Sequence, residues 1–365
     1  MKIKEVINYL ESIAPRAYQE PYDNSGLLTG NADNELSNAL ITLDCTEEVV
    51  QEAIDKKCNL IIAHHPIVFK GLKKLTGSNY VERTIISAIK NDIAIYAIHT
   101  NLDNVNRGVN KKIAEKLGLQ NVRILLPKQD SLSKLVTFIP QTHANEVLSA
   151  LHDAGAGQIG NYKNCSFIVE GTGSFQPNEM ANPNIGEAGK QEKVDEIRAE
   201  VIFPNHLEKN ILKALKQSHP YEEVAYYISS LHNENQEVGS GMIGELPESL
   251  EPKAFLAHLK KSMALKVIRH TPLVNRNVKK IALCGGSGSF LLKNAIQAGA
   301  DFYVSADFKY HEFFDAENRL TIADIGHYES EVYTKDLIGE LLTKKFPTFA
   351  VNFSGTITNP ISYYL

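Results

Sequence analysis

The sequence has no two cysteines at C-x-x-C spacing; its four, Cys45, Cys58, Cys165 and Cys284, are scattered along 365 residues. That excludes the common thiolate zinc clusters and fits a reducing, cytoplasmic compartment. Cys45, Cys58 and Cys284 lie in or beside apolar runs and read as core residues. No apolar stretch approaches the length needed to cross a bilayer, so no membrane partner is expected. Dense clusters of Lys and Arg are also missing, and with a net charge of -5 and a pI near 6.2 a nucleic acid is a poor candidate for the main partner. The amino end lacks the continuous apolar centre of a signal peptide. Val6, Ile7, Leu10, Ile13 and Ala14 instead recur at helical spacing between charges, which predicts an amphipathic helix.

What the chain does have is the composition of a soluble globular protein, 43% hydrophobic and 22% charged, at a length that favours two domains. Its most informative stretch is Asn59 to Phe69, NLIIAHHPIVF. Leu60 to Ala63 is an unbroken apolar run, the pattern of a strand covered on both faces, and Pro66 stops it. His64 and His65 then stand at the carboxyl edge of a sheet, where open α/β folds place their ligands. On an extended chain neighbouring side chains diverge, so the pair is expected to serve two ions and not one. An isolated histidine pair is more often structural. Here, however, a second strand, Ile93 to Ile98, runs into His99 and Asp103, and a third, Leu320 to Ile325, runs into His327 and Glu331. Three strand ends each deliver metal-ligand residue types.

Strand and helix alternate over about the first 127 residues. Pro21 to Gly30 reads as a turn-rich surface connection, Thr46 as the N-cap of a helix, and residues 79–91 and 108–117 as further helices. The rhythm changes after Pro127. Pro140 and Pro204 each end an apolar strand, and each is followed at eight, ten and eleven residues by Leu, Ala and Leu: Leu148, Ala150, Leu151 and Leu212, Ala214, Leu215. Further strands follow at Ser166 to Glu170 and Val224 to Ile228, so two βαβ units in tandem predict a ferredoxin-like domain. Residues 171–194, rich in Gly, Pro, Asn and Glu, read as a long excursion without regular structure. His219 to Glu223, HPYEE, is either a turn with solvated acids or a small ligand site. From about Glu237 the alternating pattern returns, including the glycine-rich turn Cys284 to Ser289, CGGSGS, which is either a plain strand-to-helix turn or a phosphate cradle. The expected architecture is an outer α/β domain with a mostly parallel sheet, made of residues 1–127 and 236–365, interrupted by a ferredoxin-like α+β domain at 128–235.

His64, His65, Asp103, His327 and Glu331 offer three imidazoles and two carboxylates, enough for two open sites with nitrogen and oxygen ligands that suit Zn, Fe or Mn. Open positions favour hydrolysis over a closed structural site. His99 and His311 are then candidate proton carriers, and Asp44 and Asp307, also at strand ends, are candidate positioning groups.

The segments DNSGL at Asp23 to Leu27, AHHP at Ala63 to Pro66, HTNLD at His99 to Asp103 and GHYESE at Gly326 to Glu331, in that order, resemble the dinuclear-metal-centre proteins called GTP cyclohydrolase I type 2 homologues, the NGG-interacting-factor-three-like family. The resemblance implies two divalent ions per subunit on the five residues just named, and a toroidal homohexamer with its metal sites facing an internal cavity. It also implies a PII/CutA-like character for the inserted domain. The chain departs from the family in carrying Tyr310 before His311, where a histidine pair is frequent. Two functions follow as expectations: a metal-dependent hydrolase acting on a small nucleotide-like or heterocyclic substrate, with GTP cyclohydrolase type 2-like activity as one form, or a non-enzymatic metal-binding regulator that senses a metabolite through the insert.

Overall fold

A computed structural model describes residues 1–364. Two compact units form: one from Met1–Pro127 together with the chain from Glu237 onward, the other from Lys128–Gln236.

The first unit holds two sheets where the sequence suggested one. The five-stranded sheet runs in the order Gly26–Thr29, Ala94–Ala97, Leu60–Ala63, Ala39–Thr42, Val351–Phe353. Its last four strands are mutually parallel, and only Gly26–Thr29 is antiparallel to its neighbour. Every residue of Leu60–Ala63 is buried. Leu60 and Ile62 join one core cluster while Ile61 and Ala63 join another, as the two-residue period of a strand requires when both faces are covered. Helices Glu47–Asp55 and Tyr80–Lys90 pack together on the second face, capped by the side chains of Thr46 and Asn79. Gly26–Thr29 corrects the reading of Pro21 to Gly30 as a surface connection, since it is a paired strand. Its backbone fits there because Gly26 has a positive φ of 121°.

The six-stranded sheet has the order Arg269–His270, Thr321–Asp324, Phe302–Ala306, Val278–Ser287, Asn235–Leu250, Gln120–Lys128. Thr321–Asp324, Phe302–Ala306 and Val278–Ser287 are parallel, and antiparallel strands flank them. Parallel strands point their carboxyl ends the same way, so the segments after Ala63, Ala97, Ala306 and Asp324 all leave their sheets at that edge.

The second unit is a four-stranded antiparallel sheet in the order Phe167–Phe175, Glu192–Pro204, Leu132–Pro140, Tyr226–Leu231, with helices Ala144–Asp153 and Glu208–Ser218 packed on each other. That order and alternation are ferredoxin-like. The excursion expected at 171–194 is shorter than the sequence suggested. Phe167–Phe175 and Glu192–Pro204 extend into it as a paired hairpin whose first strand is largely exposed, so no hydrophobic alternation announces it. Among the described residues no helix is long and apolar enough to cross a membrane.

Candidate metal centre

Four imidazoles converge beyond the carboxyl ends of the first unit's strands. His64 and His65 follow Leu60–Ala63; His99 follows Ala94–Ala97; His327 opens the helical turn His327–Glu331 after Thr321–Asp324. The chain bends at His64 and His65 and does not stay extended, so their rings lie 4.9 Å apart and are not splayed to opposite sides. The expectation that one ion cannot reach both is thereby corrected: His64, His65 and His99 form a group able to hold a metal ion. Asp103 ends the helical turn Thr100–Asp103, which is set by amide bonds from Leu102 and Asp103 to the His99 carbonyl. Glu331 lies one turn after His327, placing both on one face.

Each imidazole is held by its Nδ1. His64 Nδ1 donates to the Ile98 carbonyl at 2.8 Å, His65 to Asp44 at 2.7 Å, His99 to Asp23 at 2.8 Å and His327 to Asp307 at 2.6 Å. A carbonyl or carboxylate only accepts, so in the neutral ring the Nε2 lone pair is left to face inward. His65 Nε2 and His327 Nε2 stand 3.3 Å apart, and each lies about 3 Å from Glu331 Oε2, at 2.9 and 3.0 Å. His64 Nε2 is fully buried, 3.6 Å from Asp103 Oδ1, and neither atom has a hydrogen-bond partner. Buried acceptors turned on one another with nothing to satisfy them are costly, and a cation is the group that relieves them. By the same geometry, His65, His327 and Glu331 form a second group able to hold a metal ion, and His64, Asp103 and Glu331 a third. Nitrogen and oxygen donors without thiolate suit a borderline divalent ion.

The electrostatics point the same way. Burial drives the His64 ring down to about 3. Burial also opposes charge on His65 and His327, but Asp44, Glu331 and Asp307 overturn it and hold the rings up to about 10 and about 11. Burial and the neighbouring Glu331 raise Asp103 well above the usual carboxylate range; burial acts against Glu331 too, yet His327 and His65 pull it well below. Such a knot of opposed shifts in a cleft is typical of a functional site.

The structure adds one residue, decides between the two readings of a turn and sets one candidate apart. Asp23, with a fully buried side chain, accepts from Thr100 N, Thr100 Oγ1, Ser25 Oγ and the His99 ring, and those bonds outweigh burial to hold it far below its ordinary value. Its place in DNSGL was the available signal. The turn at Cys284 to Ser289 is a floor under Glu331 and not an open cradle: Gly285 N donates to Asn110 and Gly286 N to Ser330, both at 2.9 Å. His311, finally, is exposed, with ring contacts to Tyr310 and Phe314, and is not among the residues lining the cavity. That cavity, of about 860 Å³, opens over His65, His99, His327 and Glu331, and exposed Tyr22, Phe69, Phe290 and Ile361 stand among its walls.

The model of the family Duf34/NIF3 (NGG1p interacting factor 3) matches residues 1–360. The chain belongs to this family. A Bacillus subtilis relative in it, named GTP cyclohydrolase 1 type 2 homolog, is 38% identical over 365 residues, spanning 99% of this chain and 98% of its own. A Staphylococcus epidermidis relative of the same name is 36% identical over 371 residues and spans all of both chains. Among solved structures, the Bacillus cereus protein related to NIF3 superposes with a TM-score of 0.87 at 40% identity, covering 100% of this chain and 99% of that one. A Methanocaldococcus jannaschii protein, at 21% identity and a TM-score of 0.58 over 98% of both chains, shares the fold.

Proposed function

We propose that this Duf34/NIF3 chain binds two divalent metal ions and is a metal-dependent hydrolase acting on a small nucleotide-like or heterocyclic substrate. The observation that carries the reading is the set of inward Nε2 atoms, each backed at Nδ1 by a carboxylate or carbonyl, around Glu331 and Asp103. His64, His65, Asp103, His327 and Glu331 would hold the ions; the Glu331 carboxylate already lies within reach of the His65 and His327 rings. Bound divalent ions supply Lewis acidity and acidify water. The chain's own residues do the rest. Asp44 and Asp307 fix the tautomers of His65 and His327 and hold the rings in place. His99, tied through Nδ1 to buried Asp23, is oriented to take and return a proton at Nε2. The rings of Tyr22 and Phe69, 6.2 Å apart at the mouth, offer apolar faces to a planar heterocycle. The name of the Bacillus subtilis relative accords with a purine nucleotide as such a substrate.

The test is metal analysis of the purified chain, followed by a screen of the Zn-, Fe- and Mn-loaded protein against nucleotides and phosphoesters with His64→Ala as control. Two ions per chain and turnover lost in the variant are expected. One ion or none, or turnover indifferent to His64→Ala, rejects the reading. A second reading, a regulator that binds metal without turnover and senses a metabolite through the second unit, is favoured by one observation: that unit has a cavity of its own.

A further inference from the structure

The second unit has a solvent-open cavity of about 710 Å³ between the hairpin of Phe167–Phe175 and Glu192–Pro204 and the HPYEE corner. The corner is a built structure. His219 is 7% exposed, donates from Nε2 to the Phe138 carbonyl at 2.9 Å and accepts at Nδ1 from Tyr221 N at 3.1 Å, which fixes where Tyr221 begins. The Tyr221 hydroxyl donates at 3.0 Å to Oε1 of Glu196, and the Tyr221 ring meets Phe175 edge-on at 5.9 Å. Asn182 N donates to Glu222 at 2.9 Å, tying the loop after the hairpin strand to the same corner.

Glu196 is the anomaly. It is 7% exposed and lines the cavity, yet among the described residues its carboxylate accepts one hydrogen bond, from Tyr221, and no Lys, Arg or His pairs with it. Its Oε2 has no donor. Room for that oxygen depends on Gly173, where a Cβ would come within 2.0 Å of it. One carboxylate oxygen is thus engaged by the Tyr221 hydroxyl, and the other is left free to accept from a donor in the cavity. Around it the wall carries Glu170, Glu222 and Glu223 against a single Arg198, itself paired with Glu200 at 2.9 Å. Aromatic surface from Phe138, Phe175 and Tyr227 completes the lining.

We infer that this cavity binds an organic cation, a small amine whose ammonium group is received by Glu196 and whose carbon body lies against the aromatic side chains. Ring faces attract an ammonium and apolar walls take up its stem. A bare metal ion fits less well: the groups of described side chains able to hold one all belong to the first unit. An anion such as a nucleotide would meet four carboxylates.

Calorimetric titration of the full-length chain with tyramine and with spermidine tests the inference, the two probes separating a ring-bodied from a linear ligand. Saturable binding of either, one per chain, is expected. Glu196→Gln, which keeps shape and removes charge, should weaken it about 10- to 100-fold. Should that variant fail to fold, Tyr227→Ala and Glu223→Gln, at exposed positions, are each expected to weaken binding by a smaller factor. Failure of both amines to bind overturns the inference. So does binding unaffected by these substitutions, binding of ATP at the site, or displacement of the amine by equimolar Mg²⁺.

Discussion

His65 and His327 present the same nitrogen to the centre because an aspartate occupies the other one, and this is where the first prediction belongs. Asp44→Asn keeps the size of the side chain but can donate to Nδ1, which moves the ring proton to Nε2 and turns the lone pair away. Metal affinity should fall about 10- to 100-fold, read by competition with a chromogenic chelator; an unchanged affinity would mean the aspartate does not set the tautomer. A nitrogen must also give up its proton before a cation can take the lone pair, so metal binding should release protons and tighten as pH rises. Calorimetry in buffers of different ionisation enthalpy measures that release directly, and identical heats in all buffers would contradict it. Away from the centre, Glu52 accepts from Lys56, Ser354, Gly355 N and Thr356, joining a helix to the chain's last segment. Burial opposes its charge, but those donors pull it down to about 2. A depressed carboxylate stabilises the fold above its unfolded value near 4.5 and loses that contribution as pH falls towards 2. Glu52→Gln should therefore cost about 1–3 kcal/mol at neutral pH, with the gap to the parent closing between pH 4.5 and 2 in urea melts. A gap constant with pH would remove the charge from the explanation.

Elements, not single side chains, decide where the acids sit. The strand Val278–Ser287 ends in a turn that only glycine can make as it stands: Gly286 has φ of 60°, and a Cβ there would come within 2.3 Å of Glu331 Oε1. Gly286→Ala should displace Glu331 and lower the number of bound ions per chain even where the protein still folds, as metal analysis beside a circular dichroism spectrum would show. Full metal content would mean the turn yields without disturbing the carboxylate. This turn also shows why some of the architecture was legible in sequence and some was not. Leu60–Ala63 and Ala94–Ala97 announce themselves because strands covered on both faces are apolar throughout. Asn235–Leu250 does not, since Gly239, Gly241, Gly244 and Pro247 break its pattern. Those glycines allow close approach, with a Cβ at Gly239 falling within 2.2 Å of the Leu126 carbonyl oxygen. At the centre, histidines stood out at the ends of apolar strands. Asp23 did not, because a short acidic side chain in a turn looks the same whether it faces water or a buried imidazole.

At the scale of the molecule the α/β class was readable from the alternation of elements, whereas the split of the first unit into two sheets was not: which strands neighbour one another is a long-range matter that local pattern does not encode. The strand ends that meet at the centre come from both sheets, Leu60–Ala63 and Ala94–Ala97 from one, Thr321–Asp324 and Phe302–Ala306 from the other. A cation held there would tie residues near 64 to residues near 331 across a unit whose chain is interrupted by more than a hundred residues, and would favour the folded unit over the unfolded chain. Mass action then stabilises the unit by about 2.7 kcal/mol at a free metal concentration a hundredfold above Kd. The second unit, with its own core of Leu135, Ile139, Val201, Phe203 and Leu215, holds none of these ligands. Differential scanning calorimetry of the full chain should therefore show two transitions, and added Zn or Mn should raise one of them while leaving the other where it was. Spermidine or tyramine should move the other. A single transition shifted by both kinds of ligand would show that the two units unfold as one, and metal and amine would then be thermodynamically coupled within the chain.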